Sequence, residues 1–198
     1  MRPAPAFVAV VLTLIMLTAA CGGSDKKTTS TATATSTSVE SSSASNPATT
    51  SKPATGGSTT PVSVAVTHPT AHLVAVRAAR QATVDRVVFE FTEQVPGYKI
   101  SYEKKPIMNT AGKEVSVPGA AALVVRLEQA SGFNQDTGKP TYTGPMQVQP
   151  AGTRAVEGLA QVEDFEAVLS WAIGVNAEIP FRVSTLTSPP RLVIDLAS

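Results

Sequence analysis

The chain has 198 residues, with 16 lysines and arginines against 15 aspartates and glutamates, a formal net charge of +1 at pH 7. That balance speaks against the clustered basic surface of a nucleic-acid binder. A lone cysteine, Cys21, excludes an internal disulfide, a paired-thiol redox centre and a cysteine zinc site.

The first residues set the compartment. Met1-Arg2 gives a short positive start, and Ala6 to Leu17 is an apolar run broken only by Thr13. A bilayer-spanning helix needs about 20 apolar residues, so this shorter run reads as a secretory signal peptide. Leu17-Thr18-Ala19-Ala20-Cys21 resembles a lipobox, with Thr18 where leucine is usual. The expectation is a signal segment over 1–21 and a diacylated Cys21 as the new N-terminus. Two acyl chains hold a protein stably on a membrane. The chain is therefore expected at the extracytoplasmic face of the cell membrane, lipid-anchored and away from cytosolic nucleic acid.

Residues 22–70 are low in complexity and about half serine or threonine. Stretches such as Thr28 to Thr33 and Ser41 to Ser45 offer no large apolar side chain to offset the entropy of ordering. A disordered tether is expected, with an end-to-end distance on the order of 40 Å and an extended reach of roughly 160 Å. Its Ser/Thr richness beside Pro47, Pro53 and Pro61 is the composition of O-glycosylated stalks.

From Ala71 to Ser198 short runs of Val, Ile, Leu, Phe and Tyr alternate with polar residues between Gly and Pro punctuation, the pattern of β-strands. His72 to Val76 opens the series. Arg86 to Phe91 sets Val87, Phe89 and Phe91 on one face, with Val88 and Glu90 on the other. Tyr98, Ile100 and Tyr102 alternate next, and Ala122 to Glu128 points Leu123, Val125 and Leu127 to a core. Gly132 to Gly152 reads as a long loop. Ala155 to Val162 and Phe165 to Ile173 form an expected pair, with Leu169, Trp171 and Ile173 inward and a short helical turn near Val162 to Val168. Phe181 to Leu186 and Arg191 to Leu196 close the chain around Ser188-Pro189-Pro190. Strands at this spacing predict a mainly β fold, an antiparallel sandwich or partly closed barrel over 71–198.

Two of these strands share a motif. Asp85-Arg86-Val87-Val88-Phe89-Glu90-Phe91 and Pro190-Arg191-Leu192-Val193-Ile194-Asp195-Leu196 place Arg, an apolar run and an acid at matching offsets. Together with Pro96-Gly97-Tyr98, Phe165-Glu166, Trp171-Ala172-Ile173-Gly174 and Pro180-Phe181-Arg182-Val183, they resemble the amidase N-terminal (AMIN) domain. The fuller pattern is similar to the AMIN-like domain of actinobacterial lipoproteins. The resemblance implies a β-sandwich that targets proteins to the envelope, with peptidoglycan as ligand. No catalytic domain follows the closing strand here, so a wall hydrolase is expected to be a separate partner. If the two motif strands pair antiparallel with Val88 opposite Val193, Arg86 faces Asp195 and Glu90 faces Arg191. Such pairs contribute about 0.2–1 kcal/mol each and hold the fold rather than a ligand.

The residues give no catalytic or metal centre. His68 and His72, the two histidines, flank the tether and read as solvated. A zinc site needs three or four converging ligands, and no cofactor-binding motif appears. Glu163, Asp164 and Glu166 are nearly contiguous and read as a solvated turn, not as a separated pair of glycosidase carboxylates. Among aromatic candidates for sugar contact, Trp171 reads as core, while Phe133 and Tyr142 in the long loop are the expected ligand-binding residues. Lys104, Lys105 and Lys139 are candidates for the carboxylates of stem peptides. The expected function is a non-catalytic envelope lipoprotein that binds peptidoglycan or another wall polymer, or localises a secreted cell-wall enzyme. The alternatives are a protein–protein adaptor at the outer face of the membrane and a carrier of a small apolar ligand.

Overall fold

Period-two alternation decides the architecture. In Val84–Phe91 the residues Asp85, Val87, Phe89 and Phe91 are buried and those between them only partly so, which gives the strand one core face and one outer face. The computed structural model describes residues 56–198, and the expectations for 1–21 and for 22–55 lie outside the described residues. In chain order the strands are β1 (Val62–Val64), β2 (Ala71–Gln81), β3 (Val84–Phe91), β4 (Gly97–Glu103), β5 (Ile107–Met108), β6 (Glu114–Val115) and β7 (Ala121–Glu128). They continue with β8 (Ala130–Ser131), β9 (Phe133–Asn134), β10 (Lys139–Pro140), β11 (Gln147–Val148), β12 (Val156–Phe165), β13 (Val168–Val175), β14 (Phe181–Thr187) and β15 (Pro190–Ala197).

The fold is mainly β. One sheet runs β1-β4-β7-β13-β12-β11 and a second runs β14-β15-β3-β2-β8. Every pairing is antiparallel except β2 with β8. The inward residues of the two sheets meet in one cluster that includes Leu73, Phe89 and Phe91 from the second sheet and Ile100, Leu123, Val125, Leu127 and Trp171 from the first. Trp171 is fully buried, with Phe89 edge-on at a ring separation of 6.2 Å and Tyr142 at 5.6 Å. The β5–β6 hairpin lies over the outer face of the first sheet, where Ile107 and Val117 pack on Ala122, Val124, Ala160 and Ala172.

The motif strands pair in the expected register. Val88 faces Val193, Arg86 faces Asp195 and Glu90 faces Arg191. Arg86 donates from Nε at 2.6 Å and from Nη2 at 2.8 Å to the two oxygens of Asp195, a two-pronged ion pair. Glu90 pairs instead with Arg77 on β2, and Arg191 Nε donates to the Pro189 carbonyl at 3.3 Å. Asp85 is fully buried at the head of β3. Its Oδ2 accepts the backbone N–H groups of Arg154, Ala155 and Val156 at 2.8, 2.7 and 3.0 Å, and Oδ1 takes Arg80 at 3.3 Å. One carboxylate thereby ties the second sheet to the first residue of β12.

Three expectations change. Ordered chain begins before Ala71: Ser58 bridges Phe181, and β1 pairs with β4 from Val62↔Ile100 to Val64↔Tyr98. Gly57 permits that approach, since a Cβ there would meet the Phe181 backbone at 2.8 Å. The long loop also carries local structure, the β9–β10 hairpin and the edge strand β11. The helical turn near Val162 is strand instead. β12 runs on to Phe165, and a bulge between Gln161 and Glu163 breaks the alternation, which is why the sequence there read ambiguously. Glu166 and Ala167 then turn the chain into β13 at φ 50° and 58°. Two successive left-handed residues give the hairpin turn whose twist matches the strands.

Candidate functional site

At one end of the sandwich four segments converge. The residues before and at the start of β2 supply Pro69, Thr70 and His72, and the segment after β3 supplies Glu93. The β8–β9 region supplies Ser131 and Phe133 to Asp136, and the β12–β13 turn supplies Glu166 and Ala167. Together they line an open cleft of about 580 Å³.

Local hydrogen bonds explain its shape. The Glu93 carboxylate accepts the backbone N–H of His72 at 3.0 Å and contacts its ring Nδ1 at 3.1 Å. Burial alone would raise the Glu93 carboxyl, but hydrogen bonds from Thr92 and His72 outweigh it and its pKa falls below the ordinary value. The His72 side chain is only 14% exposed, so the solvated surface histidine expected at this position is a part-buried partner of Glu93. Gln94 Nε2 adds a bond to the Pro69 carbonyl at 2.7 Å and fastens this wall.

The opposite wall hangs on Gly132 and Asp164. Asp164 Oδ2 accepts the Gly132 N–H at 2.8 Å, while the Gly132 carbonyl accepts from Thr141 and Tyr142. A Cβ at Gly132 would come within 3.1 Å of Tyr142 Cβ, so a larger residue would have to push this contact back by a few tenths of an ångström. The Ser131 hydroxyl accepts the Phe133 N–H at 3.0 Å, and Asn134 Oδ1 accepts that of Thr137 at 2.9 Å. These bonds stand Phe133 at the mouth of the cleft, 42% exposed.

The two aromatic residues read together from the sequence part company. Phe133 faces solvent. Tyr142 is 8% exposed, its ring lies against Trp171, and its hydroxyl donates to the Pro145 carbonyl at 2.8 Å. Its neighbour Gly144 makes room for that ring, since a Cβ would sit 2.6 Å from the Tyr142 oxygen. Tyr142 is thus a core residue carried by the loop. Burial raises the phenol pKa of Tyr142, as it does that of Tyr98. Tyr102 is also committed inward, with its hydroxyl donating to the Ile179 carbonyl at 2.7 Å. Lys105 donates to the Val117 carbonyl at 2.5 Å, to that of Pro118 at 3.3 Å and to that of Gly119, which makes it a clamp on the β6–β7 turn. Lys139 stays exposed on β10.

The carboxylates lining the cleft are Glu93, Asp136 and Glu166, with the His72 imidazole beside Glu93. With an exposed ring and the amides of Asn134 and Gln135, it offers stacking and hydrogen bonding to a polar ring-bearing ligand. Among the described residues no group of three or more His, Cys, Asp or Glu could hold a metal ion. Sequence reading missed Glu93 and His72, which lie 21 residues apart and meet only through the β2–β3 pairing. It also passed over Phe165, whose exposure follows from its place at the last position before the turn.

A family model described as AMIN-like domain matches residues 71–198. Neither a curated protein nor a solved structure matches the chain.

Proposed function

The chain belongs to the AMIN-like domain family, and from that premise we propose that it is a non-catalytic cell-envelope module that binds peptidoglycan or a related wall polymer. The observation that carries this reading is the cleft at Phe133. Of the aromatic residues at this end, Tyr142 and Trp171 are consumed by the core while Phe133 is held out beside amide and carboxylate groups. Such a surface suits a sugar ring with its hydroxyls. Anchoring through a lipid on Cys21, with the Ser/Thr-rich segment after it as tether, would keep the domain in reach of the wall on the outer face of the membrane. A wall enzyme is then positioned by association with this protein.

Co-sedimentation of the full chain with purified sacculi tests the cleft. Saturable binding is expected, and Phe133→Ala should weaken it about tenfold, equivalent to ~1.4 kcal/mol. Equal binding by the variant would remove the cleft from the reading, and no binding by the parent chain would remove the wall polymer. Anchoring has its own test: Cys21→Ala should abolish fatty-acid labelling and release the protein, and retained label would overturn the anchor.

The reading as a carrier of a small apolar ligand draws no support from an interior filled by Phe89, Tyr142 and Trp171. The adaptor reading does have an observation in its favour, on the other side of the same hairpin.

A further inference from the structure

A second concavity lies on the far side of the β12–β13 hairpin from the cleft. It is a shallow groove of about 760 Å³ bounded by the tip of the β5–β6 hairpin at Asn109 to Ala111, by Met146, and by Gln161 to Phe165 of β12. Met146 and Phe165 are 62% and 61% exposed, the highest values among the large apolar side chains of the described residues. Singly exposed apolar residues are ordinary, and two of this size lining one groove make it a candidate interaction surface. Glu163 and Phe165 alternate along β12 with Asp164, whose carboxylate turns towards the Gly132 N–H at 2.8 Å. Glu163 accepts a hydrogen bond from the Thr110 hydroxyl, which links the strand to the covering hairpin.

We propose that this groove docks a segment of a partner protein that presents a large apolar side chain flanked by lysine or arginine. The charge of the lining selects that occupant. Glu163 presents the one carboxylate on this face, Asp164 being turned to Gly132, and no lysine or arginine is among the lining residues. Anionic membrane head groups and phosphate-bearing wall polymers would be repelled by the Glu163 carboxylate, whereas a basic flank is attracted to it. Met146 and Phe165 supply the adaptable and the rigid halves of an apolar socket, and both residue types are enriched in protein interfaces. The groove is separate from the wall-polymer cleft. The two have no lining residue in common, and a small concavity beside them shares Phe133, Glu166 and Ala167 with the cleft and Asp164 and Phe165 with the groove. A module could therefore hold wall polymer on one side of the hairpin and a protein on the other.

The test uses the full chain carrying Cys21→Ser, which dispenses with detergent that would fill the groove. Three synthetic peptides serve as probes: alternating leucine and lysine, alternating leucine and glutamate, and alternating serine and lysine. The leucine–lysine peptide should bind saturably and shift the amide resonances of Asn109 to Ala111 and Val162 to Phe165. Its affinity should exceed that of either control by about tenfold or more. Phe165→Ser with Met146→Ser should abolish that preference and Glu163→Gln should narrow it, while Phe133→Ala should leave it intact. Because Met146 and Phe165 are exposed, an unchanged thermal melt of the double variant certifies its fold. Equal affinity for the lysine and glutamate peptides would overturn the proposal. So would binding insensitive to the double variant, or concentration-dependent dimerisation abolished by it, which would assign the groove to a second copy. Preferential binding to anionic lipid vesicles through Phe165 would overturn it as well.

Discussion

The seam between β3 and β15 and the end of the sandwich around Phe133 and Phe165 use the same residue types to opposite purposes. Around the seam, charge is spent on partners within the chain: Arg86 grips Asp195 with two hydrogen bonds, Glu90 takes Arg77 of β2 on the outer face, and Asp85 is fully enclosed by backbone donors and Arg80. At the end, the carboxylates of Asp136 and Glu166 line a cleft, and phenylalanines stand in solvent. Arg86, Glu90 and Asp195 lie within paired strands, where the ladder gives each side chain a fixed face, and Asp85 at the head of β3 is held by the segment leading into β12. The end lies where strands stop, so side chains are positioned by turns and remain free to meet something else. The contrast separates what builds the molecule from what the molecule presents.

The largest effect should come from breaking the seam at Asp85. Asp85→Ala leaves three N–H groups without their acceptor and Arg80 with Ser198 alone, and truncating one member of a buried charged network costs about 3–5 kcal/mol. Chemical denaturation should show that loss, and a change under 1 kcal/mol would mean water replaces the carboxylate. The same group sets a pH dependence. Burial on its own would raise the Asp85 carboxyl, but the N–H groups of Val156, Ala155 and Arg154 and the Arg80 guanidinium outweigh it, so its pKa lies below the ordinary value. A depressed folded pKa means the folded state releases the proton more readily than the unfolded chain. The contribution is then full above the unfolded carboxylate range of about 4 and is lost as pH falls through the folded value. Stability should decline below that range in the parent chain, with a shallower slope in Asp85→Asn. Parallel slopes would assign the decline to other carboxylates.

A smaller loss should follow at Tyr142, which belongs by sequence to the presenting end and by packing to the core. Tyr142→Phe keeps the ring on Trp171 and removes the hydroxyl bond to Pro145, at about 1 kcal/mol. Sacculus binding should be unchanged, because the ring never reaches the surface. Weakened binding at full stability would return Tyr142 to the ligand site.

This residue also marks where sequence stops being legible. The strands Arg86 to Phe91, Ala122 to Glu128 and Leu169 to Ile173 were readable because alternation alone chooses their inner faces, and the seam register followed from matched charges in two motifs. Tyr142 and Phe133 sit in one loop of similar composition, and nothing in their spacing says which ring turns inward. That choice comes from Gly132 and Gly144, which let the backbone and the Pro145 carbonyl close around Tyr142. The cleft was illegible for the same reason, since His72, Glu93, Phe133 and Glu166 meet only after both hairpins have formed.

The smallest effect should have the opposite sign and fall on the presenting end. Glu166 and Ala167 both hold positive φ, and Ala167 gains only a carbonyl bond from the Ala130 N–H at 2.9 Å. An L-residue in that region is strained by about 1–2 kcal/mol, and glycine adopts it freely while losing more chain entropy on folding. Ala167→Gly should therefore stabilise the domain by a net ~0.5–1 kcal/mol. A melting temperature that rises by a few degrees would place unrelieved strain at the hairpin that divides cleft from groove. Strain kept there, beside a seam whose Arg86 and Asp195 are matched, fits a turn retained for the surface it holds out rather than for stability. A lower melting temperature would mean that the Ala167 methyl group is itself packed, and the turn would then belong with the seam.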